Sequence, residues 1–262
     1  MTTSSISPQI ENYSTMLKGT LSLSNDAIPN YSPPYPTGPY DNEFEDINTT
    51  VIQYRVAGSE IRHLIPDIME IEEETLMTST FVHYGKSSVG SYNEFVLQAE
   101  VRFNGQKYHY SIILILDNES AIFAGRELFG IPKVFGKVDI KTSTGSRLYQ
   151  GTVERPVGTP IVHFNFIPER RVESVPKDDT LHLGLRSIPS LANPQTAAIK
   201  ELVPSSMEWH VKSAWIGKGS LVFTPGTLLH PWADLKILRY EGAIFSEIPR
   251  AFLRPGKEVF PL

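Results

Sequence analysis

From Thr50 onward the sequence is cut into short apolar stretches bounded by Gly, Pro and Asn-Gly, and this punctuation restricts the chain more than any other feature. Breaks at that spacing leave little room for long helices, so many short strands have to carry the core. Strands are expected over residues 51–56, 77–84, 92–103, 107–116, 134–140, 151–153, 161–166, 207–215, 219–223 and 236–244. Asn104-Gly105 sits between two of them, and a two-residue hairpin turn needs the positive φ that this pair supplies. Two short helices are expected. Ser59 would cap the first, which carries Ile61, Leu64 and Ile65 on one face and closes at Pro66. The second would open at Asn193-Pro194, run through Ala197, Ala198, Ile199 and Leu202, and stop near Pro204. The expected class is mainly β (α+β): a large antiparallel sheet closing into a barrel-like shape with a few short helices and a central pocket.

At 262 residues the chain is long enough to bury a large core. Residues 1–33, rich in Ser, Thr, Asn and Pro, read as a flexible N-terminal arm, and 34–262 as a single domain entered through the Pro-rich stretch 31–40. A net charge of −5 with no basic run argues against nucleic acid or an anionic membrane as partner. The absence of cysteine removes disulfides, thiolate nucleophiles and Cys-based metal sites. The seven histidines show no ligand spacing, and no Gly-x-Gly-x-x-Gly, P-loop or Gly-x-Ser-x-Gly occurs. No metal and no cofactor is therefore expected. The N-terminus lacks a secretory pattern and the longest apolar run, residues 112–116, is far too short for a membrane span, so a cytoplasmic location is expected.

Two ionisable residues stand in unusual company. Lys133 lies between Ile131-Pro132 and Val134-Phe135, an apolar setting at the start of an expected strand. Burial disfavours an ammonium, and a neutral amine is the form that attacks a carbonyl. Lowering a lysine from about 10.4 to about 7 would raise its neutral fraction at pH 7 by roughly three orders of magnitude, or about 4–5 kcal/mol. A strand-edge lysine whose stem lies on apolar surface is the plainer reading. Glu94 shares one face of residues 92–103 with Gln98, Glu100 and Arg102, while Phe95, Leu97, Ala99, Val101 and Phe103 hold the other. That polar face is either solvent or the lumen of a barrel.

The stretch Asp117-Asn118 through Gly125-Arg126-Glu127-Leu128-Phe129-Gly130-Ile131-Pro132-Lys133 resembles the signature of the acetoacetate decarboxylase superfamily. Gly90-Ser91-Tyr92-Asn93-Glu94 resembles that family's Gly-x-Tyr-x-Glu element. Gly38-Pro39-Tyr40, Ala214-Trp215-x-Gly217 and His230-Pro231-Trp232-Ala233-Asp234-Leu235 follow in the family's order, so the likeness runs from about residue 35 to 250. The resemblance implies the family's barrel-like fold, a small keto substrate, a homo-oligomer, and a Schiff base on Lys133. Through that imine a β-keto acid or related ketone would lose CO2, with Glu94 shuttling protons and Arg126 beside them. Tyr92, Glu127, Phe129, Ile131, Trp215 and His230 are the candidates for lining the substrate pocket. Arg126 and Glu127, taken as extended, would point to opposite sides.

The sequence departs from the family pattern in two places. Decarboxylases of the family carry a second lysine next to the first, whereas here the neighbours are Pro132 and Val134. In a continuous strand Lys137 would lie roughly 13 Å away. The arginine expected after Gly-Pro-Tyr is replaced by the acidic stretch 41–48, which would repel a carboxylate if it faced the pocket. An imine-dependent aldolase, dehydratase or cyclisation step therefore stands beside decarboxylation. A non-catalytic cavity for a hydrophobic ligand is the reading of a different class.

Overall fold

The computed structural model describes residues 17–22, 27–36, 42–142, 147–175, 177–224 and 229–262. Among the described residues thirteen strands form one sheet: β1 Glu43–Ala57, β2 Glu74–Ser87, β3 Tyr92–Phe103, β4 Gln106–Leu116, β5 Lys133–Phe135, β6 Lys137–Thr142, β7 Tyr149–Glu154, β8 Pro160–Val172, β9 Leu181–Pro189, β10 Ala197–His210, β11 Ser213–Phe223, β12 Ile237–Pro255 and β13 Phe260–Pro261. Two helices interrupt them, α1 Gly58–Ile61 and α2 Glu119–Phe129. The fold is mainly β, as expected, and barrel-like. Its strand path runs β13-β10-β9-β4-β3-β2-β1-β12-β11-β8-β7-β6, and β10 pairs with β12 as well. That last ladder, Ser205↔Pro255 to His210↔Arg250, closes β1, β2, β3, β4, β9, β10 and β12 into a ring. Strands β11, β8, β7 and β6 carry the sheet on from β12 and pack over the ring's outer face, where the Asn93 amide donates to the Val138 carbonyl of β6 at 2.9 Å.

Two apolar clusters follow from this arrangement. Phe95, Leu97, Phe81, Ile52 and Ile115 meet Phe164, Phe166 and Val153 of β7 and β8 in the large core, with the rings of Phe81 and Phe164 stacked at 3.9 Å. The smaller cluster joins Ile47, Val82, Tyr84, Tyr92, Leu116, Ile248 and Ala251 to Ala121 of α2, and Met207 of β10 packs against it. Side chains from six of the seven ring strands converge there, so this cluster fills the inside of the ring and α2 plugs it.

Asn104 and Gly105 have φ of 50° and 76°, and Phe103 pairs with Gln106, so the expected hairpin forms. The helix expected over 193–204 does not: Ala197–His210 is strand β10, held between β9 and β12. Short apolar runs carry no decisive period, and two waiting partners supply a ladder that a lone helix would lack. Pro204 lies inside that strand, one residue before its pairing with β12 begins at Ser205. Ser59 is not a cap either; α1 begins after Ala57 without a side-chain bond and passes into a 3-10 turn at Arg62–Leu64. The expected strand 134–140 breaks at Gly136, where a β-carbon would collide with Ile115 and the Glu154 carbonyl. The expected strand 207–215 is two strands, β10 and β11. Strand β9 and helix α2 were not foreseen.

No helix of the described residues is long and apolar enough to cross a membrane. Among the described residues no group of three or more His, Asp or Glu is placed to hold a metal. Much of the expected N-terminal arm, residues 1–16 and 23–26, and the Gly38-Pro39-Tyr40 element lie outside the described residues.

Candidate active site

Helix α2 brings Lys133 into the ring. The Asn118 side chain accepts from the Ala121 amide at 2.9 Å at its start, and Gly130 takes the left-handed conformation, φ 62°, at its end. The chain then turns back: the Ile131 amide donates to the Gly125 carbonyl at 3.0 Å, and Lys133 aligns with Leu114 in a parallel pair with β4. The lysine stem crosses the helix at Gly125. A β-carbon there would stand 2.5 and 2.6 Å from Lys133 Cδ and Cε, so any side chain at this position would displace the stem.

The amine meets a carboxylate. Lys133 Nζ lies 2.6 Å from Glu94 Oε1, and the two residues are only 7% and 3% exposed. Strand β3 aims Glu94 inward from between Val82 and Leu116. Lys133 Nζ also stands 5.7 Å from the centre of the Tyr92 ring. Tyr84, opposite Tyr92 on β2 with ring centres 4.8 Å apart, is set diagonally across the ladder from Glu94. Burial first, and the Glu94 charge second, hold both phenols well above their usual range, so they stay neutral. Apolar Ile47, Val82, Leu116 and Ile248 complete the surroundings. An amine with an attached proton acceptor in a dry setting is equipped to add to a carbonyl and to handle the protons that this requires.

The other sequence-derived candidates fall into place less uniformly. Arg126 is helical rather than extended, and its Nη1 donates to the Lys133 carbonyl at 3.1 Å instead of facing the amine. Glu127 accepts from the Tyr35 hydroxyl at 2.7 Å, and its carbonyl accepts from Arg186 at 3.0 Å; it braces the helix. Phe129 and Ile131 shape the turn between α2 and β5, with the Phe129 carbonyl packed on Gly184. Trp215 pairs with Phe245 and packs on the large core, the face opposite Glu94. His230 is buried beside Trp232, its Nε2 donating to the Arg155 carbonyl at 3.0 Å, and burial lowers its pKa. These two are not brought to the amine.

Tyr84 was missed. Its only sequence signal was its register, since pairing Tyr84 with Tyr92 sets it diagonally against Glu94, and register is a property of the folded hairpin. The acidic start of β1 is paired with cations: Glu43 with Arg250, while Glu45 and Asp46 lie at 3.6 and 3.2 Å from Lys86 on the surface. Lys137 is exposed and 3.9 Å from Glu154, so it does not stand beside Lys133 as a second lysine.

The family model described as acetoacetate decarboxylase matches residues 27–248 of this fold. The chain belongs to the acetoacetate decarboxylase family. Among its relatives is Decarboxylase DEC1 of Cochliobolus heterostrophus, 35% identical over 225 residues that cover 84% of this chain and 89% of that one. An acetoacetate decarboxylase of Burkholderia ambifaria is 32% identical over 218 residues, 81% and 85% of the two chains. Among solved structures, one of acetoacetate decarboxylase superposes with a TM-score of 0.77 at 23% identity, covering 90% and 94%. The enduracididine biosynthesis enzyme MppR, complexed with the condensation product of pyruvate and imidazole 4-carboxaldehyde, gives 0.71 at 17%, covering 91% and 98%. At those identities the two structures show a shared fold. With its decarboxylase relatives, the chain is a decarboxylase-like lyase of the acetoacetate decarboxylase family.

Proposed function

We propose that this family member decarboxylates a β-keto acid through a Schiff base on Lys133. The observation that carries the reading is the 2.6 Å contact between the Lys133 amine and Glu94 on the ring's inner, otherwise apolar face. Glu94 takes a proton from the ammonium, and the freed amine adds to the ketone. Glu94 returns that proton to the departing hydroxyl, so water leaves and an iminium remains. The carbon–carbon bond to the carboxylate then breaks, its electron pair entering the iminium to give an enamine, and CO2 departs. Protonation of the enamine carbon and hydrolysis release the ketone and restore the lysine, one proton from solvent being consumed per turnover.

The apolar wall of Ile47, Val82, Leu116 and Ile248 suits the bond-breaking step. A carboxylate held there gains little from its surroundings, whereas the neutral CO2 and enamine lose nothing by desolvation. Activation differs from the one expected of a lysine in purely apolar company, because the proton has an acceptor in contact. Residues 34–262 are proposed as one domain, with the family match across 27–248 in support.

The test is reduction by borohydride in the presence of acetoacetate, followed by intact mass and peptide mapping, with CO2 release measured in parallel. An adduct on Lys133 and CO2 evolution are expected, and Lys133→Ala loses both, with turnover down at least about a thousandfold. CO2 release that survives Lys133→Ala would sink the reading. An adduct without CO2 would move the chain to an imine-dependent carbon–carbon step other than decarboxylation.

A further inference from the structure

The face of β3 that carries Glu94 continues beyond the amine. Glu94, Val96 and Gln98 alternate along it, while Phe95, Leu97 and Ala99 enter the large core on the other side. Val96 is half-buried and stands between Thr80 on β2 and Leu114 on β4, and Leu114 is the residue alongside which Lys133 lies. Among the described residues neither Val96 nor Leu114 belongs to either apolar cluster, so both line the inside of the ring without being taken up by a core. Next along the strand Gln98 pairs with Ser111, and the Gln98 amide donates to Ser111 Oγ at 3.2 Å and to His182 Nδ1 at 2.8 Å. Gln98 and Ser111 are only 7% and 4% exposed. We propose that this stretch is a specificity pocket for the tail of the β-keto acid: an aliphatic chain lies along Val96 and Leu114, and an uncharged hydroxyl at its far end binds Gln98, Ser111 and His182. The inference rests on the Schiff-base reading and adds a substrate class to it.

The hydrogen-bonding groups left over select the hydroxyl. Both Gln98 amide hydrogens are engaged, and His182 Nδ1, as the acceptor of one of them, leaves the proton of a neutral imidazole on Nε2. The ring is neutral near pH 7 because burial lowers its pKa to about 4. One acceptor, Gln98 Oε1, and two donors, the Ser111 hydroxyl and His182 Nε2–H, then have no partner among the described residues. A hydroxyl both donates and accepts, so it answers both kinds. A methyl end leaves these groups unpaired in a buried place, which is unfavourable. A carboxylate end meets no cation there, and Asp178 already stands 2.8 Å from His109, the neighbour of His182. Strand geometry sets the length. Gln98 lies roughly 13 Å along β3 from Glu94, and Ser111 about 10 Å along β4 from Leu114, so with a hydrogen bond at its end the chain carries the hydroxyl on about the sixth carbon beyond the ketone.

The test compares wild type, Gln98→Leu and Ser111→Ala on acetoacetate, 3-oxodecanoate and 9-hydroxy-3-oxodecanoate, with CO2 release read as kcat/KM. Wild type is expected to favour the hydroxylated acid over 3-oxodecanoate by about 10- to 100-fold, the discrimination of a buried polar site against a partner that lacks the hydroxyl. In Gln98→Leu that ratio is expected to fall to about threefold or less, and in Ser111→Ala to drop by at least about threefold. A cluster that serves only the fold would lower both rates together, and a ratio unchanged from wild type in both variants would overturn the inference. So would a wild-type ratio near one, or wild-type turnover of acetoacetate alone. These last two outcomes are read without any variant, so a substitution that fails to fold does not shield the inference. No adduct on Lys133 and no CO2 from any of the three acids in wild type would overturn the Schiff-base reading itself, and this inference with it.

Discussion

Gly125 decides whether Lys133 can reach Glu94. Its missing side chain is the space occupied by Lys133 Cδ and Cε, so the helix and the lysine stem share one position. Gly125→Ala separates activity from stability cleanly. Alanine favours a helix by up to about 1 kcal/mol over glycine, which offsets the crowding in the folded state. The methyl group nevertheless pushes the stem aside and lengthens the amine–carboxylate contact. Turnover is expected to fall about 10- to 100-fold with a thermal midpoint within a few degrees of wild type; unchanged kcat would show that the stem has another route. At this scale the sequence showed much. Lys133 and Glu94 were both legible, one from its apolar flanks and both from their motifs. Arg126 was legible as a neighbour but not in its direction, since an extended reading and a helical one point the same side chain to different places.

Helix α2 is the element on which the site turns, and the sequence reading, which left residues 117–133 without an element and took Arg126 and Glu127 as extended, did not contain it. The signals were present in part: Asn118 as a cap, Gly130 after the last turn, and Ala121, Gly125 and Phe129 at a spacing of four. The Asn118 side chain serves twice, accepting from the Ala121 amide at 2.9 Å and donating to the Val89 carbonyl at 2.8 Å. It thereby ties the start of the helix to the turn that leads into β3, which carries Glu94. Asn118→Ala is expected to lower stability by about 1–2 kcal/mol in urea unfolding and to reduce turnover with it. A stability loss with full activity at the same temperature would show that α2 is held in register by its packing alone. The opposite error was made at β10, where an apolar spacing compatible with a helix proved to be a strand because β9 and β12 lie on either side of it.

The molecule as a whole is held closed across β3, β4 and β9 by a polar cluster remote from the lysine. The Gln98 amide donates to Ser111 at 3.2 Å and bonds His182 Nδ1 at 2.8 Å, and His109 stands beside His182 with its Nε2 2.8 Å from Asp178. Burial, helped by the neighbouring His109, lowers the His182 pKa to about 4. The unfolded chain therefore takes up this proton near the ordinary value of about 6.5, before the folded one does. The stability that a neutral His182 contributes is complete above about 6.5 and drains away as pH falls toward 4. Urea midpoints between pH 7 and 4.5 are expected to record a loss of up to about 2 kcal/mol from this group. His182→Gln should remove that part of the slope, and an unaltered slope in the variant would show that His182 does not titrate with folding.

Strand-rich architecture, the Asn104-Gly105 hairpin, the identity of the amine and its carboxylate, and the family itself were determined by the sequence alone, because each depends on residues close together or on motifs in fixed order. The ring closure of β10 on β12, the helical path from Asn118 to Phe129, the exclusion of Trp215 and His230 from the amine, and the register that sets Tyr84 diagonally to Glu94 were decided only in three dimensions. Those features hang on register and on competition between strand partners far apart in the chain. Local periodicity does not encode which partner wins.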